Sequence, residues 1–478
     1  MWRIFMLFNS FEFLVFFALL LPLYYVSGKT LQNRILLIAS YIFYGSWDWR
    51  FLGLILFSTV VDYICGKAME ETSVSTRKKR ILYISLVNNL GLLAIFKYFG
   101  FFVDSFMQML ENIGIDANPM VLNIVLPVGI SFYTFQTLSY TIDIYRNEIK
   151  AERNFWDFAL FVSFFPQLVA GPIERAKSFI PQIKAKRTIS WLDIQTGAWL
   201  IFFGLFLKVF VADNLAVIVD HTYKSDGPVT GSEALLATYA FAFQIFGDFA
   251  GYSSIAIGIA RLMGFHLMTN FLYPYFVTNP SQFWRNWHIS LSSWLRDYLY
   301  ISLGGNRGGE LFTYRNLFLT MLLGGLWHGA AWTFVLWGFY QGSILVLHRL
   351  YRQLVPKPQH TKFAGNLWTL IKIIIMFQFT CLGWMIFRAQ SLDQISVLLT
   401  SIFTDLTTWT TLSSYYLKSL LFYCVPVLVI SYIQFKKQDL LAVAKLPYVI
   451  KIPALTIILF CILSFGEFNT QEFIYFQF

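Results

Sequence analysis

Two histidines sit where proton transfer at membrane depth could occur. His288 lies in NPSQFWRNWHISLSSWLRDYLYISLGGNR, residues 279–307, and His328 in LLGGLWHGAAW, residues 322–332. Imidazole titrates near pH 6.5 when unperturbed, so it can take a proton from a hydroxyl and hand one to a leaving group near neutrality. Acyl transfer suits that chemistry. A thioester donor is already activated, and the protein has only to position it, remove the hydroxyl proton and polarise the carbonyl. Wound as one helix, the first stretch puts Arg285, His288, Ser292 and Arg296 on one face and Trp284, Trp287, Leu291, Trp294 and Tyr298 on another. That is the pattern of an interfacial helix. Its charged face either anchors the chain to lipid phosphate or meets an anionic, phosphate-bearing substrate, with Arg285, Asn286, Ser292 and Arg296 as the candidate contacts.

His328, beside Trp327, has glycine and alanine on both sides, which leaves room around the ring for another backbone or a narrow substrate. An ionisable group inside a membrane is costly, so it is a functional candidate; a histidine bonded to a neighbouring carbonyl is the structural alternative. Ser290, Ser292 and Ser293 could serve as nucleophiles, but no G-x-S-x-G turn presents them, and serines on such a helix ordinarily bond to backbone or water. Asp248, in QIFGDFAGYSS, either orients an imidazole or substrate or caps a broken helix. Cys65, Cys381, Cys424 and Cys461 have no paired spacing and read as buried thiols; no metal site is expected.

The elements that must position these residues are membrane helices. The chain has 478 residues, 57% hydrophobic and 13% charged, with a mean hydropathy of +0.58. A helix of about 20 apolar residues crosses a hydrocarbon core roughly 30 Å thick, so there is length for ten or more crossings. Apolar runs fall near 4–27, 34–46, 51–66, 81–104, 121–143, 196–219, 234–260, 366–388, 416–434 and 449–466. With both termini outside and each run crossing once, 27 of the 36 lysines and arginines face the cytoplasm. Only Arg3, Arg50, Lys224 and Arg388 face outward, while Lys97, Lys208, Lys372, Lys418 and Lys451 sit in spans or at their ends, where their stems can snorkel. This asymmetry is the positive-inside rule, so the net charge of +10 is a topology signal and not a nucleic-acid footprint. The first run lacks a cleavage site and reads as a retained span. The runs at 156–171 and 316–347 fit no single crossing: the first is short, the second is long and interrupted by Gly324, Gly325 and Gly329. Both predict re-entrant elements, and irregular backbone at that depth is tolerated only inside protein or around a wet cavity. The expected fold is therefore all-α and polytopic, with about 10–12 transmembrane helices plus re-entrant and interfacial helices around a central cavity.

The strings FWRNWHISLSSWLRDYLYISLGGNR, TMLLGGLWHGAAWTFVLWG, LPVGISFYTFQTLSYTIDIYR, FFPQLVAGPIERA and IFGDFAGYSSIAIGIARLMGF, with LFNSFEFLVFF near the start and FIYFQF at the end, resemble the membrane-bound O-acyltransferase family in its bacterial, alginate O-acetyltransferase-like branch. The likeness runs from end to end, with its signature core at about 126–340, and implies a single acyltransferase domain over 1–478. It implies that His288 and His328 match the two signature histidines, with the second catalytic. It further implies an acyl group, most often acetyl, taken from a cytosolic thioester, acyl-coenzyme A or a phosphopantetheine carrier, and delivered to extracellular polysaccharide, commonly through an exported acyltransferase partner. D-alanyl transfer to teichoic acid is the neighbouring possibility. Outside that family, a flippase using the histidines as proton relays, or a catalytically idle scaffold of a polymer-export complex, are the rival readings. Repeated halves with paired broken helices, which transporters tend to show, are not evident.

Overall fold

Lipid cannot satisfy free peptide groups, so apolar runs must close their own hydrogen bonds, and every regular element among the described residues is helical. The computed structural model describes residues 6–115, 125–225, 227–355, 362–468 and 473–474. Arg3, Lys357 and positions 475–478, the greater part of FIYFQF, lie outside them. Among the described residues, seven helices are long and apolar enough to cross a membrane: Trp49–Glu70, Ser75–Asn112, Trp191–Tyr223, Gly231–Leu262, Gly365–Arg388, Thr411–Lys437 and Tyr448–Phe465. The remaining expected runs form the shorter helices Phe11–Tyr25, Lys29–Gly45 and Ile130–Tyr145. The chain is a multi-pass membrane protein.

Contacts divide the chain into two compact units, Met1–Ile194 with Ile259–Met268, and Gln195–Gly258 with Thr269–Phe478. In the first unit, the expected re-entrant segment is the helix Phe155–Ser163, a break at Phe164, and the single turn Phe165–Leu168. Pro166 accounts for the break, because it has no N–H to donate and its ring disfavours helix in the preceding turn. Phe158 through Leu168 is buried throughout, so the freed backbone groups need protein partners. Ser40 Oγ accepts from Phe165 N at 3.0 Å, and the Phe161 carbonyl accepts from the side-chain amides of Gln136 and of Gln167, the latter at 2.8 Å. A second buried polar knot joins three helices of this unit: Asp62 accepts from Ser85 Oγ at 2.6 Å and from Asn89 Nδ2 at 2.8 Å, and Asn89 Oδ1 accepts from Ser58 and Thr137.

In the second unit, the run at 316–347 is a hairpin of Glu310–His328 and Trp332–Leu354, turned at Gly329–Ala331. It comes in and returns as expected, but the turn falls at Gly329, while Gly324 and Gly325 lie inside the first helix without interrupting it. Small residues let the two helices touch backbone to backbone. A Cβ on Gly325 would stand 2.3 Å from the Phe334 carbonyl oxygen, and one on Gly338 would stand 2.7 Å from that of Met321. Such contacts are closer than any side chain allows, so this seam fixes where the turn, and with it His328, must lie. Lys208, expected to snorkel, does not. It is buried between Asp213 Oδ1 at 2.8 Å and Asp248 Oδ1 at 2.9 Å, because two carboxylates on neighbouring helices give its ammonium partners inside the protein.

Candidate active site

The stretch around His288 is not one helix. Pro280–Asn286 and Ile289–Trp294 are separate, and His288 stands between them with φ 43° and ψ 55°, in the left-handed region. A non-glycine residue there costs on the order of 1–2 kcal/mol and persists when its surroundings over-determine it. Here Asn270 does so. Its backbone carbonyl accepts from Ile289 N at 2.9 Å, and its Oδ1 accepts from Ser290 N at 3.2 Å and Ser290 Oγ at 2.8 Å. These amides open the helix Ile289–Trp294 and would otherwise lack intrahelical partners. The break overturns the single amphipathic winding expected from the sequence. His288 leaves the face it would share with Arg285 and Arg296 and turns fully inward, at 0% exposure.

Asn270 also fixes the chemistry of the ring. Its Nδ2 donates to Ser253 Oγ at 3.2 Å, so Oδ1 is the atom that meets His288 Nδ1 at 3.3 Å. An acceptor at that position assigns the hydrogen to Nδ1 and makes Nε2 the lone-pair nitrogen of the neutral ring. His288 lies outside the seven spans, and burial pushes its pKa down to about 3. The ring is therefore neutral at physiological pH.

His328 ends the first helix of the hairpin. Its ring meets Trp327 at 5.0 Å, Trp337 at 5.0 Å and Phe387 at 5.4 Å between centroids, each close to edge-on. His288 lies 6.1 Å from the same Trp327 ring and 4.6 Å from Phe249. Forty residues apart in the chain, the two imidazoles thus come to the same indole. Trp287, Trp337 and Trp384 continue this aromatic mass, with Trp287 and Trp384 at 4.7 Å. The open space expected beside His328 is filled. A Cβ on Gly329 would fall 2.1 Å from the Phe334 ring, so these glycines serve helix packing, and His328 keeps 5% of its surface.

Of the other expected site residues, Trp327 neighbours both histidines. Arg285 and Arg296 are exposed, and Arg296 Nε pairs with neighbouring Asp297 at 2.7 Å. Asn286 is half-buried, and its backbone carbonyl accepts from Leu272 N at 2.9 Å. Ser292 Oγ donates to the Trp287 carbonyl at 3.0 Å, and Ser293 Oγ to that of Ser290, which is the backbone bonding expected of non-nucleophilic serines. Asp248 bonds to Lys208 and, through Oδ2, to Ile474 N at 2.7 Å, which makes it a structural group. Asn270, Trp337 and Phe387 were not singled out from the sequence. Asn270 lies in an unremarkable loop, and only a fold that returns it to residue 288 reveals it.

A profile of the MBOAT, membrane-bound O-acyltransferase family matches residues 146–387, which include both histidines. A probable alginate O-acetylase of Pseudomonas aeruginosa is 45% identical over 391 residues, covering 81% of this chain and 73% of that protein. The chain belongs to the membrane-bound O-acyltransferase family. It is also similar to the peptidoglycan O-acetyltransferase of Helicobacter pylori, 36% identical over 77% of this chain and 73% of that one. The teichoic acid D-alanyltransferase of Bacillus subtilis is 28% identical over 56% of this chain and 70% of its own length. As a membrane-bound O-acyltransferase, the chain is an enzyme that forms esters by acyl transfer to a hydroxyl.

Proposed function

We propose that this enzyme takes an acyl group, acetyl foremost, from a cytosolic thioester and passes it through the membrane to hydroxyls of a cell-envelope polysaccharide, directly or by way of an exported acyltransferase partner. The observation that carries the proposal is the placement of two imidazoles, each on a helix break, against the single indole of Trp327. Relatives named for acetylating alginate and peptidoglycan support an acetyl group and an envelope polymer. In this reading both termini lie outside and the basic loops inside, so that exposed Arg285 and Arg296 meet the phosphates of coenzyme A or a phosphopantetheine carrier. Asn286, Ser292 and Trp327 border the arm.

In the transfer itself His328 removes the acceptor hydroxyl proton as the oxygen attacks the thioester carbonyl; the C–S bond breaks, and the proton goes on to the departing thiolate. His288, whose Nε2 carries a lone pair, accepts a hydrogen bond from the amide N–H of the pantetheine arm and so orients the thioester. Because both rings are enclosed by aromatic side chains, substrate entry requires Trp327, Trp337 or Phe387 to move. The test is purified enzyme reconstituted with labelled acetyl-coenzyme A and a polysaccharide acceptor. His328→Ala and His328→Gln should each cut transfer by about 10²–10⁴-fold, the usual contribution of a positioned general base, with thermal melting unchanged. Near-normal transfer by folded His328→Gln would end the assignment. Loss of polymer export with no labelled ester in the wild type would favour a flippase.

A further inference from the structure

The hairpin that ends at His328 is tight at its glycine seam and open toward its other end. There a groove of about 650 Å³ runs between the two helices, lined by Leu311, Phe312, Phe318, Val346 and Leu347, with Arg315 on its wall. Its walls are mostly apolar, with Tyr314 and Ser343 also lining it, and Arg307 and Arg315 are both exposed. Glu310, at the start of the same helix, is already engaged by Arg349 at 3.0 Å. Arg315 spends Nε and Nη2 on Asn316 Oδ1, at 3.1 and 2.9 Å, and its guanidinium lies 4.9 Å from the Phe312 ring. Among the described residues no carboxylate pairs with it. Tyr314 Oη donates to Gln353 Oε1 at 2.7 Å and bridges the two helices at this end.

An apolar slot as long as two or three helical turns, with an arginine on its wall that pairs with no carboxylate among the described residues, is complementary to one molecular shape: a fatty chain with an anionic head. We propose that this groove holds an anionic phospholipid, one acyl chain against Phe318, Val346 and Leu347 and the headgroup phosphate at Arg315. Basic pockets between membrane helices recruit anionic headgroups in this way, each cation near the surface contributing about 1 kcal/mol. The bound lipid fills the open end of the hairpin and braces the element on which His328 is carried. The proposal is independent of which acyl group or acceptor the enzyme uses.

The experiment is native mass spectrometry of the full-length protein taken from nanodiscs of phosphatidylglycerol and phosphatidylcholine mixed in equal parts, followed by stepwise delipidation. The wild type should retain one phosphatidylglycerol beyond the point at which phosphatidylcholine is lost. Arg315→Gln should lower that preference about fivefold, the factor that corresponds to about 1 kcal/mol. Leu347→Trp, which fills the slot without touching the charge, should abolish retention of either lipid, and circular dichroism of both variants should report an unchanged helical content. Equal retention of both lipids by the wild type, or a phosphatidylglycerol preference unaffected by Arg315→Gln, overturns the proposal. So does a co-purifying polypeptide that occupies the groove and is displaced by Leu347→Trp.

Discussion

Asn270→Asp is the sharpest perturbation of the site, because it changes one atom type and should transform the neighbouring imidazole. In the native protein Asn270 Oδ1 faces His288 Nδ1 at 3.3 Å, and burial holds the ring neutral, with its pKa pushed down to about 3. A carboxylate in the same place brings an opposite charge within contact distance. At an effective dielectric of about 20 that attraction is about 4 kcal/mol, and one pH unit corresponds to about 1.36 kcal/mol. Protonation of His288 would then move up by roughly three pH units, to near pH 6. The sign follows directly: the charged ring, suppressed in the wild type, becomes populated as pH falls toward 6, and the Nε2 lone pair is lost with it. Initial rates of acetyl transfer measured from pH 5 to 9 should show a new acid limb in Asn270→Asp that the wild type lacks at that position. Asn270→Ala should lower the rate across the range without adding a limb. Superimposable profiles for wild type and folded Asn270→Asp would refute the assigned tautomer and the orienting role of Asn270.

Other consequences concern the elements that hold the site. Gly325→Ala drives a methyl into the Phe334 carbonyl and should cost about 1–3 kcal/mol, read as a lower melting temperature, and should reduce transfer by displacing His328. Lys208→Met leaves Asp213 and Asp248 facing each other without their cation and should destabilise by about 3–5 kcal/mol, while adding Asp213→Asn and Asp248→Asn should restore most of the loss. Glu174, buried in the first unit and bonded to Met268 N at 2.5 Å, has its pKa pushed up by burial from 4.5 to about 7. Its ionised form is therefore disfavoured in the fold, so stability from this group is full below pH 4.5 and falls as pH rises to 7. Glu174→Gln should melt higher than wild type at pH 8, by up to about 3 kcal/mol, and no higher at pH 4.5.

Much of the architecture could be read from the chain because membrane helices are written in long apolar runs. The short run at 156–171 and the overlong, glycine-bearing run at 316–347 marked the two re-entrant elements, although only Gly329 lies at a turn and Gly324 and Gly325 stay within a helix. What those glycines do was less legible: small residues signal close approach, but whether a substrate or another helix approaches depends on the partner, here Phe334 and Gly338. The same limit applies at His288. A helical period of 3.6 presumes a continuous helix, and the left-handed residue that interrupts it is enforced by Asn270, eighteen residues earlier. Lys208 was misplaced for a related reason, because snorkelling is the fate of a lysine with no partner at depth, and Asp213 and Asp248 become partners only once the fold is made.

The central claim is that an acyl group crosses the bilayer at the paired imidazoles while its carrier stays behind. Inverted membrane vesicles, given acetyl-coenzyme A labelled on the acetyl group outside and the polysaccharide acceptor inside, measure this directly. Acetyl label should appear on the enclosed polymer, with coenzyme A remaining outside, and none should appear with His328→Gln. Label confined to the outer face, or polymer acetylated as fast by His328→Gln as by the wild type, would contradict it.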